Sequence, residues 1–276
     1  MTRPIVLCTD YGLHDEFVGI CHGVIASIAP EVRVIDLTHA IPRQDVFRGA
    51  VVLSRAVAYF PSDAVFCAVV DPGVGSERRA VAVRTVSGAL LVGPDNGLLS
   101  PAWEALGGVG AAFEVASDTV VLHPVSRTFH GRDVFAPVAA HLASGLAPEE
   151  VGPRVDPNGL RSIELPGPMV APGAVGGRVT GIDGFGNVQL NVTVEHLAAA
   201  GIGQRLALAG ARIPLVGIFA DLPEHALGVI VDSQGFLALV VNKGSAAEAL
   251  RLLEGATVVL ESGDDVPPSR GHLQSV

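Results

Sequence analysis

Nine consecutive residues carry the densest chemistry in this chain: Asp71-Pro72-Gly73-Val74-Gly75-Ser76-Glu77-Arg78-Arg79. They follow an apolar run, Ala64 to Val70, that reads as a buried strand. Uncompensated charge at the end of an apolar strand is costly, and ligands of open α/β sheets bind just beyond the carboxyl ends of strands. The alternative is a solvated turn with an Asp cap and surface arginines. Four other segments have similar character. Thr9-Asp10-Tyr11-Gly12 follows the first strand, with His14 and Asp15 just beyond. A carboxylate there can accept from ribose hydroxyls or an amino group. Asp15 suits an N-cap for a helix starting near Phe17, and Asp10 suits a site. Pro94-Asp95-Asn96-Gly97 is a strong turn signal. In Thr128-Phe129-His130-Gly131-Arg132-Asp133, Thr128 or Asp133 could cap a helix, and His130 could act as acid, base or ligand. Asp183-Gly184-Phe185-Gly186-Asn187 is a tight loop presenting Asp and Asn, or a plain hairpin turn.

Missing patterns narrow the chemistry. The chain has no GxGxxG fingerprint, phosphate loop or GxSxG elbow. HExxH, Cys/His clusters and EF-hand loops are absent too, so no metal is expected. A dispersed two-metal site from Asp10, Asp71 and His130 would have Arg78 as an awkward neighbour. Cys8, Cys21 and Cys67 sit in apolar segments without a CxxC pair and read as buried reduced thiols. With 49% hydrophobic and 17% charged residues, the 276-residue chain is expected to be well buried rather than disordered. The net charge of −10 argues against general nucleic-acid binding. No run is apolar enough for a membrane span, and the N-terminus lacks a signal-peptide layout, so a cytoplasmic protein is expected.

The elements that must position these residues alternate at first. Strands are expected at Ile5 to Thr9, Val32 to Leu37 and Val65 to Val70. Helices are expected at Phe17 to Ala29, Val46 to Tyr59 and Asp133 to Ser144. A hairpin joins Ala80 to Arg84 with Ala89 to Val92, and Trp103 to Leu106 forms a short turn. This order predicts a largely parallel, helix-covered sheet. Pro and Gly between Pro166 and Gly177 mark a linker or crossover. Short strands follow, from Gly177 to Leu260, suggesting a small all-β domain or barrel. The polar tail, Gly263 to Val276, is expected to be mobile. The expected domains are 1–166 and 177–276.

Taken together and in this order, the five motifs resemble the S-adenosyl-L-methionine hydroxide adenosyltransferases, the adenosine-forming hydrolases related to fluorinating and chlorinating enzymes. The resemblance runs from about Ile5 to Ser245. It implies an α/β fold class: a Rossmann-like N-terminal α/β domain with a C-terminal β-barrel domain. It also implies a homotrimer with active sites at subunit interfaces, no cofactor, and S-adenosyl-L-methionine as substrate, without nucleic acid or membrane as partner. By resemblance the catalytic residues are Asp71, Arg78 and His130, and Asp10 binds the ribose hydroxyls. Asp15 and Asp183 lie near the methionine amino group, Ser233 near the carboxylate, and Asn187 reads adenine beside Phe219 and the backbone near Lys243. Asp95 joins the substrate-binding set. Asp71 replaces the tyrosine of the halogenating relatives, and Val74 and Gly131 offer no hydroxyl to a halide. Water is therefore the expected nucleophile, attacking the ribose 5′ carbon. The neutral thioether leaving group needs no acid, so the task is to align and deprotonate water. Arg78 beside Asp71 weakens that carboxylate as a base, which gives His130 a share in accepting the proton. A halide-dependent adenosyltransferase and a non-catalytic S-adenosylmethionine or adenosine binder are the alternatives.

Overall fold

Strand β1 (Ile5–Thr9) is buried along its whole length, and so are β3 (Val65–Val69) and β5 (Leu90–Pro94). Such continuous apolar runs need cover on both faces of a sheet. The structure is a computed structural model and describes residues 2–264; beyond Asp264 the expected mobile tail lies outside the described residues. The chain divides between Leu165 and Pro166 into two units.

In the first unit α1 (Phe17–Ile28), β2 (Val34–Thr38) and α2 (Val46–Ala56) intervene between β1 and β3. Then come β4 (Ala80–Thr85), α3 (Ser100–Ala105), β6 (Val109–Glu114), α4 (Ala136–Ala143) and β7 (Arg154–Val155). The seven strands form one sheet in the order β2-β1-β3-β5-β4-β6-β7. Side-chain alternation splits its core in two. Ile5, Leu7, Val65 and Cys67 pack with Ile25 of α1 and Val138 of α4. Val6, Cys8, Phe66 and Ala68 pack with Leu53 of α2 and Trp103 of α3 on the other face. Reversing one residue would send a core side chain to the wrong layer.

The sheet is mixed rather than largely parallel. β1 pairs parallel with β2 and β3, and β3 with β5. β4 pairs antiparallel with β5 and β6, and β6 with β7. The cause is connection length: parallel neighbours need a crossover of a dozen or more residues, whereas the tight turn after Thr85 can only make a hairpin. Strands β6 and β7 lie outside the strands predicted from sequence.

The second unit contains β8 (Met169–Ala171), β9 (Ala174–Ile182), β10 (Val188–Thr193), α5 (Val194–Ala199), β11 (Arg205–Leu208) and β12 (Ala211–Pro214). β13 (Leu227–Val231), β14 (Phe236–Val241), α6 (Ala246–Leu250) and β15 (Thr257–Ser262) complete it. The strand path is β12-β11-β15-β9-β10-β14-β13, with β8 paired to β9. A bridge between Leu215 and Val229 joins its two ends, so the sheet is nearly closed and barrel-like. Val179, Leu190, Leu206, Val229, Leu239 and Leu260 share its core. The stretch expected as a linker instead contains β8 and the start of β9, because Pro172-Gly173 sits at a hairpin turn with Gly173 at φ +77°.

Phe66 is fully buried and meets Phe60 edge-on at 5.6 Å. Phe66→Ala should cost about 3–5 kcal/mol, read as a lower denaturant midpoint with retained secondary structure by circular dichroism.

Candidate active site

Parallel pairing sets the site. Thr9 stands opposite Val69, so the loops after β1 and β3 leave the same edge of the sheet. That edge carries Asp10 on one loop and Asp71 on the other. The Asp71 loop then folds back through successive turns: Val74 N–H donates to Asp71 O at 3.2 Å and Ser76 N–H to Gly73 O at 3.1 Å. Ser76 Oγ–H donates to Gly73 O at 2.6 Å, and Arg78 N–H donates to Ser76 Oγ at 3.3 Å. Gly75 makes this possible. Its φ is +76°, and a Cβ there would lie 2.2 Å from the Arg127 carbonyl oxygen.

Folding back brings Arg78 onto Asp71. Arg78 Nε donates to Asp71 Oδ1 at 2.9 Å and to Oδ2 at 3.1 Å, while Nη2 also donates to Oδ2. The same Nη2 lies 2.8 Å from His130 Nδ1. The Asp71 and Arg78 side chains are only 6% and 11% exposed, so neither charge is left to bulk water. Phe135 supports the guanidinium from below, its ring centroid 5.1 Å from Arg78 Cζ.

A guanidinium can only donate. His130 Nδ1 therefore accepts, and the neutral ring carries its proton on Nε2. Burial, then the Arg78 charge, pulls the His130 pKa below its ordinary 6.5, against smaller opposing pulls from Asp71 and Asp133. The imidazole is thus kept neutral by the contact that fixes its tautomer.

His130 stands at the mouth of a π-helical turn, Gly131–Phe135, that continues into α4. Such wide turns recur at functional sites. The two residues expected to cap this helix do not. Asp133 is buried within the turn, where it accepts from Ser126 N–H at 2.8 Å and pairs with Arg132 Nε at 2.6 Å. It ties the approaching loop to the helix instead, and Thr128 N–H bonds locally to Ser126 Oγ.

Asp71 and His130 line a cavity of about 460 Å³. Asp10, Asp71 and His130 supply its polar wall, and Tyr11, Phe17 and Phe129 its aromatic wall, with ring centroids 5.1–6.1 Å apart. Asp10 Oδ2 accepts from Gln44 N–H at 2.8 Å, which leaves Oδ1 toward a ligand. The aromatic wall and Gln44 were not assigned roles from sequence. Tyr11 and Phe129 flank the motif residues, but nothing in their spacing says that they meet; Gln44 has φ +63°, a strain that no sequence pattern reports.

Other expected site residues stand elsewhere. Asp95 does not line this cavity: Arg79 Nε donates to its Oδ2 at 2.9 Å and Arg161 N–H to its Oδ1 at 2.7 Å. That buried carboxylate pins the start of β4 to the end of β5. Asp15 is exposed and makes no cap; the helix starts after Glu16, without a side-chain cap bond. In the second unit Asp183 Oδ1 accepts from Phe185 and Asn187 N–H at 2.9 and 3.0 Å, and Oδ2 accepts from Asn187 Nδ2 at 2.9 Å. The buried Asn187 amide thus commits one N–H to Asp183 and keeps its carbonyl oxygen available to a donor. Phe219 is 42% exposed, Ser233 is exposed, and Lys243 pairs with Glu224 at φ +55°.

An ion-paired cleft beyond the carboxyl ends of the strands of an α/β sheet is the setting of a small-molecule site. Residues 5–152 match the SAM hydroxide adenosyltransferase N-terminal domain, and residues 177–259 match its C-terminal domain. The chain belongs to this family. It is 48% identical to the (R)-S-adenosyl-L-methionine hydrolase of Salinispora arenicola (strain CNS-205), over 95% of this chain and 99% of that one. A fluorinase from Nocardia brasiliensis (strain ATCC 700358 / HUJEG-1) is more distant, at 32% identity over 95% of this chain and 98% of its own. The crystal structure of an uncharacterized conserved protein from Thermotoga maritima superposes with a TM-score of 0.87 at 35% identity, covering 93% of this chain and 99% of that one.

Gly75→Ala should be more damaging than an ordinary surface change. Its φ alone costs about 1–3 kcal/mol, and the Arg127 carbonyl must move. The expected result is a lower thermal midpoint together with lost activity; an unchanged midpoint with full activity would contradict the close packing of the two loops.

Proposed function

We propose that this protein hydrolyses S-adenosyl-L-methionine to adenosine and L-methionine by attack of water on the ribose 5′ carbon. The observation that carries this reading is the Arg78-linked pair Asp71 and His130 on the wall of the cleft. The C5′–S bond breaks with its electron pair going to sulfur, which extinguishes the sulfonium charge. A C5′–O bond forms, and the water gives up one proton. No acid is needed on the departing thioether.

Each member of the unit has a distinct task. Asp71 takes the proton: Oδ2 accepts twice from Arg78, whereas Oδ1 accepts once and keeps a second lone pair for water. His130 contributes Nε2–H as a donor that orients the water oxygen, because Nδ1 is already occupied. This replaces the share in proton acceptance that the sequence suggested for it. Arg78 holds both partners and is balanced by Asp71, so the cationic substrate does not face a bare guanidinium. In-line alignment of water and sulfur then supplies much of the barrier reduction, of which orientation alone can contribute about 7–11 kcal/mol.

Asp10 would hold the ribose hydroxyls, with Asp15 and Asp183 near the methionine amino group and Ser233 near its carboxylate. Asn187 would accept the adenine amino group at its free carbonyl oxygen, beside Phe219 and the backbone at Lys243. A role for Asp95 in the substrate contact would be indirect, through the strands it pins. We further read the first unit as a Rossmann-like variant and the second as a β-barrel, assembled as a cytoplasmic homotrimer with sites at subunit interfaces and working without a cofactor. Among the described residues, no helix is long and apolar enough to cross a membrane.

Water is favoured over halide by the cavity wall. Val74 has no hydroxyl, and a Cβ at Gly131 would lie 2.1 Å from the Tyr11 hydroxyl, so that position is closed to a serine in this packing.

Incubation in heavy-oxygen water should place the label on the adenosine 5′ carbon, with equimolar methionine. Asp71→Asn should abolish turnover while calorimetry still detects substrate binding. Label in methionine, or halide-dependent formation of a halogenated nucleoside, would overturn the reaction.

The histidine gives a second test with a definite sign. The neutral ring is required, and its folded pKa lies below 6.5. The bond from Arg78 is therefore fully present above the unfolded value and is lost as pH falls through the lower folded value. The kcat/KM profile should stay level down to pH 6.5 and fall only below it. A midpoint above that value would contradict the neutral donor role.

A further inference from the structure

We propose that His22, Asp36 and His39 form a binding site for a divalent transition-metal cation of the zinc class. This goes beyond the hydrolytic reading and does not rest on it. The sequence offers no metal motif here, because the three residues come from three places: His22 from α1, Asp36 from β2, and His39 from the turn beyond β2. The fold converges them. His22 Nε2 lies 2.8 Å and His39 Nε2 3.1 Å from the same oxygen, Asp36 Oδ1. One ligand atom from each residue lies within 4.8 Å of the others.

The second observation is His39 itself. Its side chain is 3% exposed, and its buried Nε2 faces Asp36 Oδ1 at 3.1 Å outside good hydrogen-bond geometry. A buried ring nitrogen without a partner is uncommon. Its other nitrogen, Nδ1, lies 2.8 Å from Thr9 Oγ1, and that oxygen also accepts from Tyr11 N–H at 3.2 Å. A ring held through one nitrogen, with the other directed at a carboxylate oxygen, is the arrangement that orients metal-ligating histidines. If Nδ1–H donates to Thr9, Nε2 presents a lone pair to an anionic oxygen, and a cation between them converts repulsion into attraction.

Two imidazole nitrogens and one carboxylate oxygen select zinc, cobalt, nickel or copper over magnesium and calcium, which prefer oxygen sets. His22 and Asp36 are 36% and 43% exposed, so the cluster opens to solvent on one side and the remaining coordination positions would be filled by water. The bound ion would link α1 to the end of β2. It would also brace the loop carrying Asp10, since Gly12 N–H donates to His39 O at 2.7 Å.

The test uses tag-free full-length protein stripped with a chelator. Zinc chloride is titrated by calorimetry, cobalt(II) by visible absorption, and thermal unfolding is followed with and without zinc. One saturable zinc per chain is expected, with ligand-field bands of low-coordinate cobalt and a raised unfolding midpoint. His22→Ala and Asp36→Asn lie on the solvent side and should fold; each should weaken binding at least about tenfold. His39→Ala is left aside because its burial confounds loss of ligand with loss of fold. Absence of saturable uptake, or uptake equal to wild type in both variants, would overturn the site. Uptake of magnesium in place of zinc would overturn the assigned class. Adenosine formation by the stripped enzyme is a separate measurement, so failure of either proposal can be told from failure of the other.

Discussion

The buried fork of Arg78 is the constraint on which the rest of the site depends. One guanidinium neutralises Asp71, fixes the tautomer of His130 and rests on Phe135. A buried ion pair is weak evidence for stability by itself, because desolvation offsets much of the attraction. Its value here lies in geometry. A planar fork has few ways to satisfy a carboxylate and an imidazole at once, so the loop from β3 and the turn before α4 must meet in one arrangement. Removing any member strands the others: without Asp71, the guanidinium is buried and unpaired; without Arg78, His130 is free to change tautomer.

That arrangement requires a particular backbone. The chain between Asp71 and Arg78 must reverse in a few residues while remaining tight against Arg127, which explains a glycine at position 75 better than any general need for flexibility. The π turn at Gly131–Phe135 answers a similar demand on the other side. There a side chain would strike Tyr11, and the glycine lets the aromatic wall close over the cleft. The loops carrying Asp10 and Asp71 borrow their placement from the parallel register of β1 and β3, which itself follows from layers of apolar residues facing helices on both sides. The geometry of the cleft is thus inherited from core packing, with Gly75 and Gly131 permitting the two closest approaches.

Much of this was legible in the sequence because the relevant signals are local. The strands Ile5–Thr9 and Val65–Val69 are continuous apolar runs, and charge immediately after them marks the sheet edge. What escaped was non-local. Strand β6 pairs with β4 and β7 with β6, and their short, partly exposed runs resemble loops. Asp95 reads as part of a turn, and its partners Arg79 and Arg161 are separated from it by chain that only the fold brings back. Asp133 reads as a cap because it precedes an apolar helix, whereas a π turn places it inside. His22, Asp36 and His39 meet although no single element presents them.

The same distinction governs how proton chemistry can be inferred. A histidine in a motif suggests a base, since its ordinary pKa lies near neutrality. Which nitrogen is available depends on a partner 52 positions away in the chain. Arg78 donates to Nδ1 and thereby removes the lone pair that a base would use, while lowering the affinity of the ring for any proton. In the proposed mechanism a residue kept neutral and presenting N–H acts as an orienting donor, and the proton goes to the carboxylate. Arg78 makes that carboxylate a weaker base, but the nucleophile it serves becomes far more acidic as the C5′–O bond forms. Proton transfer late in the attack therefore needs only a modest base, held in line, and the ion-paired Asp71 meets that requirement.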